Sequence, residues 1–200
     1  MQTTIAENIL AQAKTLPEGA LISAKEFLHL GNRAAVDQAL KRLKERRELM
    51  SLFRGVYVRP VKTRFGTRAP AAEKVVQGIA AARAETVVPH GAAAANALGL
   101  TTQVPTKLVF LTSGKSRQLT LGAQIVELKT APQWMLLPSH PAAGEAVRAL
   151  AWVGKDRALE ALTTLKRKLP KSTVQELVAL RPALPQWLSN SISQTLVPHG

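Results

Sequence analysis

Cysteine is absent from the 200-residue chain. That excludes disulfides, thiolate zinc sites and thiol nucleophiles together, and it suits a reducing compartment. Aromatic residues make up only 4% of the sequence, too few to supply the stacking platforms usual among single-strand readers. Carboxylates are scarce as well, 13 against 27 lysines and arginines, and no paired-carboxylate motif is present. Long apolar runs are missing. No stretch reaches the roughly 18 residues of a membrane-span candidate, and the Ala-rich run from Gly91 to Leu100 is interrupted by Asn96. The opening MQTTIAENIL has no basic region followed by an apolar run, so it does not read as a signal peptide. A cytoplasmic protein with no membrane partner is the expectation.

Catalytic and metal-binding patterns are equally thin. The four histidines (His29, His90, His140 and His199) show no HxxxH or HExxH spacing. His90 lies between a short strand pattern and a helix pattern, the one histidine placed where catalysis could use it, and it would need a nucleophile and a carboxylate beside it. Ser113-Gly114-Lys115-Ser116 imitates the end of a P-loop, but the first glycine of that motif would fall on Val109, and a strand pattern follows where a helix is required. The expectation is no enzyme, no cofactor and no metal.

What the chain has is apolar residues, 46% of it, and positive charge, formally +14. A packed core is therefore available, and the charge speaks of partners rather than fold. The charge is concentrated. From Lys41 to Arg68 ten lysines and arginines face only Glu45 and Glu48, an excess of eight. An anionic polymer is the natural partner of such a stretch.

The pattern beneath that charge is specific. With Val36 at the centre of a helical face, Leu40 and Leu43 fall on the same side with Ala39 beside them, while Ala34, Gln38, Lys41 and Glu45 fall opposite. Asn32 is placed as the N-cap. After Arg47 the period becomes extended: Leu49 to Phe53, a turn at Arg54-Gly55, then Val56 to Val58. Upstream, Thr4 and Glu7 have capping-box spacing at the start of a helix to about Thr15, and Pro17-Glu18-Gly19 ends it. Ala20 to Ile22 suits a strand pairing with the hairpin. Ser23 and Glu26 repeat the capping-box spacing at the start of a short helix, and Leu30-Gly31 turns the chain. This is the order of a winged helix-turn-helix.

In that motif the third helix enters the major groove of duplex DNA with its first turns at the base edges. Arg33, Ala34, Asp37, Gln38 and Lys41 are assigned to that surface, with Asn32 at its start. Gln38 suits adenine, Arg33 guanine, and the Ala34 methyl thymine. Asp37 would repel phosphate, so it either reads a cytosine amino group or orients Arg33 or Lys41. Arg42, Lys44, Arg46, Arg54 and Arg59 suit phosphate, joined by Ser23 and Lys25 from the preceding short helix. Tyr57 reads as hairpin core.

Pro60 to Pro70 is basic and poor in apolar residues, and reads as a linker. Beyond it come a helix over Ala71 to Arg83, a strand over Glu85 to Val88, a small-residue helix over Ala92 to Leu98 suited to packing on a sheet, and a strand over Thr106 to Thr112. A hairpin over Arg117 to Lys129 and four helices punctuated by Pro170, Pro182 and Pro185 follow. Trp134, Trp152 and Trp187 all fall in this half and read as core. The fold class expected is α+β: a winged helix-turn-helix over residues 1–62, a basic linker over 63–70, and a small mixed α/β domain with a helical tail over 71–200.

The run Arg33 to Leu40, the turn Arg54-Gly55-Val56-Tyr57, and the segment Gly91 to Leu100 with Gln103-Val104-Pro105 resemble the AbiEi-like proteins, antitoxins of bacterial type IV toxin–antitoxin systems. The likeness runs from about residue 5 to 130 and more loosely through the helical tail. It implies an N-terminal domain that binds promoter repeats and represses its own operon, and a C-terminal domain that acts against a nucleotidyltransferase-like toxin, directly or functionally. Two other readings stand beside it: a stand-alone DNA-binding regulator without a toxin, and a basic module for structured RNA.

Overall fold

A computed structural model describes residues 3–137 and 139–197; His199 lies outside them. The fold is mixed α+β, and the chain divides into two compact units: Met1–Glu85 with Arg117–Leu128, and Thr86–Ser116 with Lys129–Gly200.

The first unit begins with α1 (Ile5–Thr15), entered through the expected capping box. The Thr4 N–H donates to Glu7 at 2.8 Å and the Glu7 N–H donates to Thr4 Oγ1 at 3.3 Å. The Thr4 N–H first, and then the Thr4 hydroxyl, which donates to Glu7 Oε2 at 2.9 Å, hold the exposed Glu7 carboxyl below its usual pKa. Strand β1 (Ile22–Ser23) leads into a 3-10 turn, Ala24–Phe27, and α2 (Arg33–Glu45) follows. Asn32 caps α2, accepting the Ala35 N–H at 2.9 Å. Ile9 and Ala13 of α1, Phe27, and Val36, Ala39, Leu40 and Leu43 of α2 form one buried cluster. Each of the larger side chains contributes about 1.5–3 kcal/mol by leaving water.

Arg47, at φ 58, reverses the chain after α2, and the Glu48 and Leu49 amides both donate to the Leu43 carbonyl. Strands β2 (Met50–Phe53) and β3 (Val56–Val58) follow, joined at Arg54-Gly55. They form an antiparallel sheet of order β1-β3-β2, with Ile22 opposite Tyr57 and Met50 opposite Val58. The strand expected before the short helix does pair with the hairpin.

The expected linker is not a linker. Val61–Thr63 (β4) and Gly66–Arg68 (β5) pair antiparallel as a second hairpin. Its residues are almost all exposed. A two-stranded ribbon held by backbone bonds leaves no apolar pattern to read.

The helix α3 (Ala72–Arg83), expected in the second domain, belongs to the first unit. The cause is a backbone contact. A Cβ on Gly19 would overlap the Lys74 carbonyl, and one on Gly78 would overlap the Gly19 carbonyl, so two glycines interlock the Pro17–Gly19 turn with α3. Glu18 reinforces the contact, accepting the Ala71 N–H at 2.9 Å and Arg68 Nη1 at 3.1 Å. The Ala71 bond first, and then Arg68, hold its carboxyl below the usual range. The hairpin of β8 (Arg117–Leu121) and β9 (Gln124–Thr130) begins in the same unit. Arg117 grips Glu85 through two bonds, at 2.6 and 3.2 Å, with both side chains largely buried.

In the second unit β6 (Val87–Pro89) pairs antiparallel with β7 (Leu108–Thr112), and α4 (Gly91–Ala97) follows β6. A short helix α5 (Gln133–Leu136), not expected from the sequence, precedes α6 (Pro141–Val153), α7 (Ala158–Lys168), α8 (Lys171–Ala179) and α9 (Gln186–Leu196). Leu150, Leu162, Leu165, Leu177, Leu188 and Ile192 are the centre of their core. Trp134 and Trp187 pack against it, whereas Trp152 is 37% exposed. The alanine helix α4 packs on α6 and not on a sheet. A Cβ on Gly91 would overlap the Arg148 carbonyl, and Ala94 and Ala95 meet Ala149. Among the described residues no helix is long and apolar enough to cross a membrane.

Gly78→Ala forces the Gly19 turn away from α3. We expect urea unfolding to lose about 1–3 kcal/mol of stability. Unchanged stability would show that the turn can retreat without loss.

Candidate nucleic-acid interface

The burial of Val36, Ala39, Leu40 and Leu43 orients α2, so Arg33, Ala34, Asp37, Gln38 and Lys41 all face solvent. Asp37 orients Arg33, one of the roles left open for it: Arg33 Nε donates to Asp37 Oδ2 at 2.9 Å. Lys41 instead lies 4.0 Å from Glu45. Both pairs are exposed i,i+4 contacts of roughly 0.3–0.5 kcal/mol, strong enough to bias a rotamer and weak enough to yield to a ligand. Gln38 makes no intramolecular hydrogen bond among the described residues, so its amide remains available. Asn32 spends its side-chain oxygen on the Ala35 amide. Ser23 donates its hydroxyl to Glu26 at 2.8 Å.

Two depressions flank this helix within the first unit. One, of about 420 Å³, brings together Ser23, Lys25, Arg33 and Arg54, with Glu26 on its wall. Its further cation is Arg83, at the end of α3, stacked 5.1 Å from the Phe53 ring centroid. Arg83 lies outside the set read from the sequence, because the basic stretch before α3 reads as a domain boundary and only the fold brings α3 to the first unit. The second depression, of about 960 Å³, has Lys44, Arg47, Arg54 and Arg68 above an apolar floor that includes Leu52 and Phe53. Arg54, at the β2–β3 turn, lines both. Arg42 and the half-buried Arg59 line neither.

Few carboxylates neutralise this surface. Of the ten cations between Lys41 and Arg68, Lys41 meets Glu45, Lys62 lies 3.5 Å from Glu48, and Arg68 meets Glu18. The other seven, Arg42, Lys44, Arg46, Arg47, Arg54, Arg59 and Arg64, form no ion pair among the described residues. Lysines and arginines that neutralise phosphates release the cations condensed on a nucleic acid, which is the favourable term such a surface can supply.

The other candidates have structural occupations. His90 Nδ1 accepts the Ala92 N–H at 3.2 Å and so caps α4. Burial, aided by the charge of Lys129, pushes its pKa below the ordinary histidine value. Asn96 donates to the carbonyls of Thr101 and Gln103, at 3.4 and 3.1 Å, and so bridges backbone. The Ser113 hydroxyl accepts the Thr86 N–H at 2.9 Å, and β8 rather than a helix follows the P-loop imitation. Among the described residues no three His, Asp or Glu side chains are grouped to hold a metal ion.

A family model described as a family of unknown function (DUF6088) matches residues 8–177. No curated protein and no solved structure matches the chain.

The His90 cap makes a pH prediction. Its folded pKa is depressed, so just below the ordinary value the unfolded chain binds more protons and stability falls as pH is lowered. The contribution is complete above about pH 6.5 and is lost as pH falls through the folded pKa. His90→Asn keeps a capping oxygen without titrating, and we expect it to flatten this acid limb of the unfolding free energy. Parallel limbs in the two proteins would assign the titration elsewhere.

Proposed function

The chain belongs to the DUF6088 family, and we propose that it is a sequence-specific duplex-DNA-binding regulator that occupies its own promoter. In this reading Ile5–Val58 is a winged helix-turn-helix, with α2 as the helix that enters the major groove and β2–β3 as the wing. The observation that carries it is the surface on and beside α2: polar and basic side chains in solvent, seven cations without an ion pair among the described residues, and an apolar back locked into the core. Arg33, aimed by Asp37, reads guanine; Gln38 reads adenine; Ala34 contacts a thymine methyl. Lys41 completes the base-facing set, and Asn32 holds the first turn that presents it. Arg42, Lys44, Arg54 and Arg59, with Ser23, Lys25 and Arg83, hold phosphate and give affinity without sequence information.

The antitoxin role has separate support, the AbiEi resemblance alone. In it, the second unit opposes a nucleotidyltransferase-like toxin, directly or functionally. Co-expression with the neighbouring gene tests this role independently of DNA binding.

Fluorescence anisotropy on labelled duplex from upstream of the protein's own gene, against a shuffled duplex at about 150 mM salt, tests the regulator. A preference of about a thousandfold or more is expected. Equal, weak and salt-sensitive binding would reduce the basic surface to an electrostatic footprint, and tighter binding to structured RNA would favour the RNA module. Gln38→Ala is expected to relax preference at one base position by about 1–3 kcal/mol. Uniform weakening on every sequence would remove Gln38 from the base-reading set.

A further inference from the structure

We propose that the β4–β5 hairpin is a second DNA contact, in which Phe65 enters the minor groove and wedges a base step open while Arg64 holds a flanking phosphate. The proposal rests on the duplex-DNA reading of the first unit and adds to it a deformation of the DNA.

Phe65 is the anomaly that prompts it. The ring is 86% exposed, whereas Phe27 and Phe110 are 1% and 8% exposed. From Lys62 to Arg68 every residue is exposed, so the hairpin builds no core, and it carries its largest apolar side chain at the tip. Burial within the chain therefore does not explain the residue.

The tip is held, which is what a wedge requires. Thr63 Oγ1 accepts the Phe65 N–H at 3.2 Å and donates to the Gly66 carbonyl at 2.9 Å. Gly66 sits at φ 116, a conformation that a side chain would strain. Three cross-strand pairs, from Val61 with Arg68 to Thr63 with Gly66, tie the strands beneath.

Charge and position favour DNA over an apolar partner. Between Pro60 and Pro70 there are three cations and no carboxylate. Arg64 forms no ion pair among the described residues and lies 4.6 Å from the Phe65 ring centroid. The base of the hairpin, Thr67 and Arg68, lines the same depression as Lys44, Arg47 and Arg54. A phosphate strand seated there runs beside the hairpin. Phe65 lies two residue steps from Thr67, roughly 7 Å at about 3.3 Å per residue, close to the ~7.5 Å depth of a minor groove. Apolar wedges flanked by cations open base steps in this way, most readily at flexible TA steps.

The test uses the full chain and a 30-base-pair duplex from upstream of the protein's own gene, chosen with a central TA step and labelled with donor and acceptor at its two ends. Wild type is expected to bind and to bring the ends closer. Phe65→Ala should bind about tenfold more weakly and leave the duplex straight, with an unchanged unfolding midpoint because the ring leaves no core. Phe65→Trp should restore the bend. Arg54→Ala should weaken binding while the complexes that do form remain bent. A straight duplex in the wild-type complex, or a bent one with Phe65→Ala, overturns the wedge and leaves the DNA reading standing. A Phe65→Ala defect seen only on the single strand also overturns it, in favour of base stacking. No duplex binding by wild type overturns the wedge together with the reading beneath it.

Discussion

The basic surface of the first unit depends on the burial of Val36, Leu40 and Leu43 beneath it. Those side chains and Ala39 lock α2 against α1 and Phe27. Charge acts on α2 more weakly: Lys41, Arg42 and Lys44 gather at its C-terminal end, where the helix dipole favours cations, with Glu45 as the only carboxylate in its last two turns. The buried side chains each contribute about 1.5–3 kcal/mol, whereas an exposed pair such as Lys41–Glu45 contributes well under 1 kcal/mol. Packing therefore sets the helix in place, and Arg42 and Lys44 form no ion pair among the described residues.

The same economy applies to the segments around α2. The Asn32 cap and the Ser23–Glu26 box fix where the turn and the helix begin. The reversal at Arg47 sends the chain directly into β2, so that Arg54 arrives beside the cleft that also receives Lys25 and Arg33. Residues far apart in sequence gather because short, capped elements leave them little choice of direction.

Local features were the legible ones. The capping boxes, the period of α2, the change to extended period after Arg47 and the hairpin over Arg117 to Thr130 all follow from neighbouring residues, and so did most of the helical tail. Features made by distant contacts were not legible. The Gly19–Gly78 interlock and the Arg117–Glu85 pair place α3 and the start of the 117–130 hairpin in the first unit, and neither pairing leaves a periodic trace. Arg83 was hidden for that reason, although its position at a helix end was plain. The β4–β5 ribbon escaped because its strands bury nothing, and α4 was assigned to a sheet because alanines do not declare which neighbour they approach.

We propose that α2 and the β2–β3 turn form the surface that meets duplex DNA. The most direct measurement is amide chemical-shift mapping of the labelled protein as duplex from its own upstream region is added. The largest shifts are expected along Arg33 to Lys41 and at Arg54-Gly55, with smaller ones at Lys25 and Arg83. Shifts confined to α7, α8 and α9, with α2 unmoved, would contradict it.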